Sequence, residues 1–381
     1  SNPQRTCLKY SRSLAMKSNY KRLGDYIEPC DVLNDDLSLS LLQGISNEKY
    51  FQNCKSNTVD IDLSRYRVCK KGWFAYNRAT TRNGDKISIA YREEEDCLVS
   101  PSYKCFKISN EQQLLPYYLL LWFKRPEFDR YARFMSHGSA HEYFEYEQLC
   151  EVKLPVPPIE EQQKIVDAYQ KIEHRIALKK KINENLEATV QAIYNKIFVE
   201  DIDYSTLPAG WHFSALKDVA ELSAGGDRPL VFSNVQTEAC SIQIFSNGVE
   251  NEGLYGFTDR AKIYRESVTM SARGTVGYVF LRDKPYVPIV RLISVVPNTN
   301  YVTAKYLYFV LRSIDLHSTG TSQQQITVPD LSKKQILIPC KTVMKEFMSK
   351  IDPLFTSIKQ NKDEIKTLFD MQSNYLTVLS R

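Results

Sequence analysis

One stretch of this 381-residue sequence decides how the chain is organised: Leu154-Pro155-Val156-Pro157-Pro158-Ile159-Glu160-Glu161-Gln162-Gln163. The prolines end a strand-like apolar run, because proline fixes its backbone φ and has no N–H to donate. The acidic pair Glu160-Glu161 then falls in the first turn of a helix, where the helix dipole favours negative charge. The stretch therefore predicts a junction, at which a folded module closes and a long helix begins.

The sequence repeats once around this junction. Val152-Lys153-Leu154-Pro155 matches Ile336-Leu337-Ile338-Pro339, and an apolar helical segment that begins at Tyr118 matches one that begins at Tyr306. Loops that differ in length between the copies explain why the matches are unequally spaced. The chain also exceeds what one hydrophobic core usually serves, so we predict two similar modules.

Each copy ends in a helical pattern whose apolar residues alternate spacings of four and three. Heptads this regular are typical of a coiled coil. Pro353 lies near the start of the second pattern, so that helix is predicted to begin there or to be kinked. The first predicted seam is Ile165, Tyr169, Ile172, Ile176, Lys179, Asn183, Leu186, Val190, Ile193 and Ile197, and the second is Phe347, Ile351, Leu354, Ile358, Asn361, Ile365, Leu368, Gln372, Tyr375 and Leu379.

Four polar residues interrupt these seams: Lys179 and Asn183 in the first, and Asn361 and Gln372 in the second. A buried polar side chain at such a position costs stability and fixes register and partner. The alternative interpretation is a gap in the seam that is exposed to water. The heptad pattern alone leaves both interpretations open.

Composition limits the class of protein. The formal charge of +5 is compatible with nucleic-acid binding, and nine cysteines without a C-x-x-C pair are typical of reduced core thiols. No apolar stretch approaches the ~18 residues of a membrane helix, and the N-terminus lacks the apolar stretch of a signal peptide. We therefore expect a soluble, cytoplasmic protein that contacts no membrane.

The predicted fold class is α+β. Short β-rich runs at residues 86–91, 267–270, 277–281 and 292–296 alternate with turns, and an apolar helix belongs to each module. The predicted bounds are an N-terminal arm at 1–19, a first module at 20–157, a central helix at 158–200, a second module at 201–340 and a C-terminal helix at 341–381.

The chain lacks the sequence patterns of catalysis. It has no G-x-x-x-x-G-K-[ST] loop for nucleotide phosphates, and Val156-Pro157-Pro158-Ile159 lacks the polar and aromatic partners of an amino-methyltransferase motif. His137 and His141 could share a helical face, but Gly138 and Ser139 between them favour a loop. We predict no catalytic residue and no metal site.

Residues 154–166 resemble the hallmark of the specificity subunits of Type I restriction-modification enzymes. The repeat agrees with that family along nearly the whole chain, and Leu207-Pro208-Ala209-Gly210-Trp211 resembles its entry into a second target-recognition domain. The second junction departs from the pattern, since Ile338-Pro339-Cys340-Lys341-Thr342-Val343 lacks the Pro-Pro and Glu-Gln-Gln letters.

The resemblance implies a non-catalytic subunit with two tandem target-recognition domains, each reading one half of a bipartite DNA sequence. Two long helices would form an antiparallel coiled coil that sets the spacing between the halves. The implied partners are double-stranded DNA, two methyltransferase (modification) subunits and restriction/translocase subunits. No cofactor would bind this chain, while S-adenosylmethionine, ATP and magnesium would bind the partner subunits.

Two loops in each module concentrate side chains that can bind bases and phosphates. One loop precedes a strand and the other follows the apolar helix, and the Arg-Gly pair before a strand resembles a position at the family's DNA face. The alternative is that these are ordinary polar surface loops. The candidates are Asn77, Arg78, Thr80, Thr81, Arg82, Asn83, Arg133, Ser136, His137 and Ser139 in the first module, and Arg273, Thr275, Thr319, Thr321, Ser322, Gln323, Gln324 and Gln325 in the second.

Two other functions compete with DNA reading. One is a non-DNA-binding coiled-coil scaffold whose modules bind protein partners. The other is a methyltransferase fused to its own recognition domain, which would require catalytic motifs that this sequence lacks.

Overall fold

The computed structural model describes residues 20–54, 61–79, 86–136, 142–200, 202–274, 276–314 and 325–379. The chain divides into two compact units: unit 1 comprises residues 1–181 and 361–381, and unit 2 comprises residues 182–360. Each unit therefore combines one predicted module with part of both long helices. The predicted N-terminal arm lies outside the described residues.

Unit 1 is an α+β module with an antiparallel main sheet. Its elements are β1 (Tyr20–Arg22), β2 (Ile27–Cys30), β3 (Gln43–Ile45), β4 (Phe51–Asn53), β5 (Arg67–Cys69), β6 (Phe74–Asn77), β7 (Ile89–Tyr91), β8 (Cys97–Val99), β9 (Tyr103–Ile108), α1 (Pro116–Phe123), α2 (Pro126–Met135), α3 (Tyr146–Cys150), β10 (Lys153–Pro155) and the first part of α4 (Ile159–Asn195). The main sheet has the strand order β2-β9-β6-β7. The pairs β1-β10, β3-β4 and β5-β8 accompany it.

Unit 2 has the same plan. The helix α4 ends in a π-helical turn at Lys196–Glu200. The elements that follow are β11 (His212–Ala215), α5 (Leu216–Val219), β12 (Ala220–Ala224), β13 (Ile242–Phe245), β14 (Leu254–Thr258), β15 (Ser267–Met270), β16 (Val279–Arg282), β17 (Tyr286–Pro288), β18 (Ile293–Pro297), α6 (Ala304–Ser313), α7 (Val328–Ser332), β19 (Gln335–Ile338) and α8 (Lys341–Val378). The main sheet has the order β12-β18-β15-β16, beside β14-β13-β17 and the pair β11-β19.

The predicted repeat is confirmed by topology and by one matched hydrogen bond. The two main sheets have corresponding strand orders, and each module pairs its first strand with its last. The hydroxyl of Tyr118 donates to the carbonyl of Pro155 at 3.0 Å, and the hydroxyl of Tyr306 donates to that of Leu337 at 2.6 Å. In both copies, therefore, the apolar helix is tied to the strand that precedes a long helix.

The four predicted strands are present. Residues 267–270 form β15 with the predicted bounds, while β16 and β18 lie within two residues of theirs. The strand predicted at 86–91 begins later, at Ile89. The eight described cysteines are all free, and six of them are buried, consistent with reduced core thiols.

Each module shares its core with the long helices. In unit 1, Val166 and Tyr169 of α4 join the cluster around the stacked rings of Phe74 and Phe106, whose centroids lie 5.0 Å apart. Burial of each large apolar side chain stabilises the fold by roughly 1.5–3 kcal/mol. The first part of α4 therefore belongs to the hydrophobic core of unit 1.

Unit 2 shows the same sharing of its core. Tyr194 of α4 stacks on Phe309 of α6 at 5.1 Å, and Phe198 packs edge-on against Phe347 of α8 at 4.9 Å. All four rings are buried. Both long helices therefore contribute to the core of this unit as well.

The long helices pair in antiparallel fashion in each unit. In unit 1, the hydroxyl of Tyr375 donates to the carbonyl of Ile165 at 3.2 Å, and Lys179 lies opposite Asn361. In unit 2, Tyr194 contacts Phe347, whereas Asn183 lies opposite Ile358. Every residue of the two predicted seams is buried or half-buried, so the predicted coiled coil is confirmed.

The polar seam residues are enclosed rather than solvated. Asn183 and Asn361 are each 7% exposed and Gln372 is 9% exposed. The half-buried Lys179 donates to Asn361 Oδ1 at 2.8 Å and lies 2.9 Å from Glu364 Oε2. The water-exposed alternative is therefore wrong, and a role in setting register stays a prediction.

The helix α8 begins at Lys341 and continues through Pro353. Of the two alternatives for Pro353, a start of the helix at that residue is therefore wrong. Proline at this position is exposed, and it removes one backbone hydrogen bond of the helix. Across the described ranges, no helix combines the length and apolar character needed to cross a membrane.

Candidate nucleic-acid interface

The first candidate loop of unit 1 connects β6 to β7. Asn77, the last residue of β6, donates its backbone N–H to the carbonyl of Ser88 at 2.9 Å. Its side-chain Oδ1 accepts from the backbone N–H of Ala79 at 3.1 Å, which shapes the start of the loop. The candidates Thr80, Thr81, Arg82 and Asn83 lie outside the described residues.

The second candidate loop of unit 1 follows α2. Arg133, predicted as part of this loop, lies within α2 instead, and its guanidinium is 3.4 Å from Glu142. Ser136 is buried, and its hydroxyl donates to the carbonyl of Ala132 at 2.6 Å. The Ser136 side chain thus caps its own helix, and its predicted base contact stays a prediction. The candidates His137 and Ser139 lie outside the described residues.

The two loops of unit 1 are joined at Arg78. Its carbonyl accepts from the backbone N–H of Phe144 at 2.8 Å. Its guanidinium donates to Glu145 at 3.0 Å and lies 4.8 Å from the centre of the Tyr143 ring. Arg78 is predicted from sequence to read DNA, but in the structure it connects the two loops.

Unit 2 joins the corresponding loops in the same way. The carbonyl of Ala272 accepts from the backbone N–H of Ile326 at 3.1 Å. The exposed side chain of Arg273 reaches Gln325 Oε1 at 3.5 Å. Loops that are about fifty residues apart in sequence thus meet in this unit. The candidates Thr275, Thr319, Thr321, Ser322, Gln323 and Gln324 lie outside the described residues.

A repeated Ser-Asn pair supports these loops and escaped prediction. The pair follows β3 at Ser46-Asn47 and β13 at Ser246-Asn247. Asn47 Oδ1 accepts from the hydroxyl of Ser88 at 2.8 Å, and Asn247 Oδ1 accepts from the N–H of Ala272 at 2.8 Å. In both units the asparagine therefore holds the base of the hairpin that carries a candidate loop. Comparison of the two copies for short polar matches could have found it.

A buried ion pair anchors the same hairpin in unit 1. The ammonium of Lys49 lies 2.6 Å from Asp129 of α2 and donates to the carbonyl of Ile87 at 2.8 Å. Asp129 in turn accepts from the N–H of Ile87 at 3.1 Å. Burial lowers the pKa of Lys49, while the neighbouring Asp129 opposes that shift. Nothing local in the sequence distinguishes this lysine.

The junction stretch owes its structure to one glutamine. Gln162 is fully buried, and its Nε2 donates to the carbonyls of Gln113 and Pro157, each at 2.8 Å. Its Oε1 accepts from the N–H of Leu115 at 2.9 Å. All of the main hydrogen-bonding capacity of this amide is therefore used to connect the start of α4 to the start of α1.

The second junction needs no such glutamine. Leu115, which precedes α1, has no side chain that can cap a helix, whereas Thr303, which precedes α6, accepts from the N–H of Tyr306 at 3.2 Å. Helix α6 thus carries its own cap. The strand and the long helix are retained at the second junction, although the Glu-Gln-Gln letters are absent after Pro339.

The sequence of this chain matches a known protein family in both modules. A family model described as the Type I restriction modification DNA specificity domain matches residues 19–188 and 208–367. A putative type I specificity subunit of Mycoplasma pneumoniae is 27% identical over 286 residues, which are 72% of this chain and 73% of that protein. The Type I restriction enzyme HindI specificity subunit of Haemophilus influenzae is 20% identical over 419 aligned positions, covering 86% of this chain and 90% of that protein.

A solved structure has a similar fold. The crystal structure of a Type I restriction-modification S subunit from M. genitalium superposes with a TM-score of 0.59 at 12% sequence identity. The match covers 94% of this chain and 95% of that one. At this identity the likeness concerns the fold alone.

Proposed function

Because the chain belongs to the Type I restriction-modification DNA specificity family, we propose that its two tandem recognition domains read the two halves of a bipartite DNA sequence. The family match covers both modules. The observation that supports a DNA-contacting role for the candidate loops is their repeated connection, through Arg78 in unit 1 and Ala272 in unit 2. Two loops held side by side can present several side chains to one groove.

The proposal extends to the complex and its chemistry. The chain would act as a non-catalytic subunit and bind two methyltransferase subunits and restriction/translocase subunits. Those partners would bind S-adenosylmethionine, ATP and magnesium. The alternative, a scaffold whose modules bind only protein, is not favoured by a DNA specificity family that matches residues 19–188 and 208–367.

Arg273→Ala is expected to lower affinity for duplex DNA about tenfold, because one arginine contact to a base or phosphate is lost. Stability should change little, since the side chain is exposed. Fluorescence anisotropy over a range of salt concentrations measures the effect. The matched control is Arg260→Ala. Arg260 is an exposed arginine that follows β14. The end of β14 pairs with the start of β13, at Thr258 and Ile242, whereas Asn247 follows the other end of β13. An equal loss in both variants would exclude a specific role for Arg273.

Binding is also expected to depend on the distance between half-sites. A duplex selected by the chain from a randomised library would be remade with its spacer shortened or lengthened by three base pairs. Because both domains could then not bind together, affinity should fall about a hundredfold. Duplexes with either half-site scrambled provide the comparison. Affinity that is indifferent to spacer length would rule out the coiled coil as the element that sets spacing.

A further inference from the structure

A strained turn separates β17 from β18 in unit 2. Val290 and Arg291 have φ angles of 51° and 60°, in the left-handed region. An L-residue in this region is disfavoured because its Cβ approaches a backbone oxygen, and a β-branched valine is the more unusual of the two. Such conformations persist where the surroundings impose them, and they occur preferentially at functional sites.

Three hydrogen bonds impose the conformation of this turn. The backbone N–H groups of Val290 and Arg291 donate to the carbonyls of Gly226 and Gly225, each at 2.9 Å. The side-chain amide of Asn247 donates to the carbonyl of Val290 at 2.6 Å. At Gly225 a Cβ would lie 2.7 Å from backbone atoms, so this close approach requires glycine. The turn is therefore held on two sides.

The same Asn247 connects the turn to the candidate DNA-contacting loops. While its amide nitrogen binds Val290, its Oδ1 accepts from the N–H of Ala272 at 2.8 Å. The carbonyl of Ala272 accepts in turn from Ile326. Hydrogen bonds thus connect three segments that are distant in sequence, and the exposed residue Arg273 follows Ala272 on the middle one.

Arg291 is the charged residue of this turn. It is exposed, and it forms no ion pair with any residue in the part of the chain that the structure describes. Two other arginines of unit 2, in contrast, have acidic partners: Arg265 lies 2.9 Å from Glu221, and the buried Arg282 lies 3.4 Å from Glu252. A guanidinium without an acidic partner, in a turn that Asn247 connects to the Arg273 loop, suits a phosphate or a guanine edge.

We propose that Arg291 is a DNA-contacting residue of the second recognition domain, with Asn247 as the residue that positions its turn against the Arg273 loop. The proposal rests on the proposed function, since it adds a contact to the same surface. The left-handed turn, whose backbone is fixed by hydrogen bonds, would hold Arg291 for that contact. Duplex DNA is the ligand, bound through a phosphate or a base edge.

Arg291→Gly separates a binding role from a structural one. Glycine adopts φ near 60° without strain, so the turn should be retained and the melting temperature unchanged or raised. The removed guanidinium should lower affinity about tenfold for a duplex selected from a randomised library by the unchanged full chain. Arg260→Ala is the matched control, and it should bind within twofold of the unchanged chain.

Several results would overturn the proposal. Binding by Arg291→Gly within twofold of the unchanged chain would do so, as would an equal loss in Arg260→Ala. A lowered melting temperature together with lowered affinity would assign Arg291 to the stability of the turn. Arg273→Ala is measured alongside. If Arg273→Ala lowers affinity while Arg291→Gly does not, the proposed function is retained and only the role of Arg291 is excluded. No duplex binding by the unchanged chain would overturn both.

Discussion

Lys49→Met is expected to destabilise unit 1 by about 3–5 kcal/mol, because it leaves a buried carboxylate without its counter-ion. Lys49 and Asp129 are only 5% and 7% exposed, so solvent and salt screen this pair little. The pair also holds both the N–H and the carbonyl of Ile87, at the entry to β7. Urea-induced unfolding of the full chain measures the change.

Two further variants make this prediction specific. Lys86→Met removes an exposed ion pair, since Lys86 lies 2.6 Å from Glu48 with both side chains about half exposed or more, and it should cost no more than about 1 kcal/mol. The double variant Lys49→Met/Asp129→Asn removes the buried charge but keeps a side-chain oxygen that accepts from the N–H of Ile87. It should recover most of the stability that Lys49→Met loses. Similar destabilisation by Lys49→Met and Lys86→Met would show that burial of the pair has no energetic consequence.

Gln162→Ala is expected to destabilise unit 1 by about 3 kcal/mol. Three hydrogen bonds are lost, each with a net contribution of about 1 kcal/mol, and the groups left unpaired add to the loss where they are buried. Hydrogen exchange should also accelerate at the amide of Leu115, which donates to Gln162. Chemical unfolding and exchange measured by mass spectrometry report the two effects.

Gln163 is the natural control for this substitution. It is the adjacent residue of the same type, it is exposed, and its side-chain amide donates to Asp167 one turn along the same helix, at 2.6 Å. Gln163→Ala should therefore change stability by less than about 0.5 kcal/mol. Gln162→Glu should be more harmful than Gln162→Ala, because a buried carboxylate would face the carbonyls of Gln113 and Pro157. Equal effects at positions 162 and 163 would contradict the role of the buried amide.

The two candidate loops of each module meet in the structure, and their role in DNA binding stays a prediction. The sequence pointed to two loops per module, and the structure brings them together in both units. However, Arg78 is engaged by Glu145 and Tyr143, and Ser136 is buried. Composition shows that a loop contains polar groups, but it does not show which of those groups the protein itself binds.

Sequence alone determined the repeat, the junction and the two seams. These are local properties. Heptad spacing follows from the geometry of one helix, and each proline restricts the φ angle of its own residue and removes an N–H donor. Tertiary structure decided which polar groups lose water, because that depends on distant partners, such as Asp129 for Lys49 and Gln113 for Gln162. It also decided that Asn183 and Asn361 are enclosed, since solvent is excluded from a seam only when a second helix covers it.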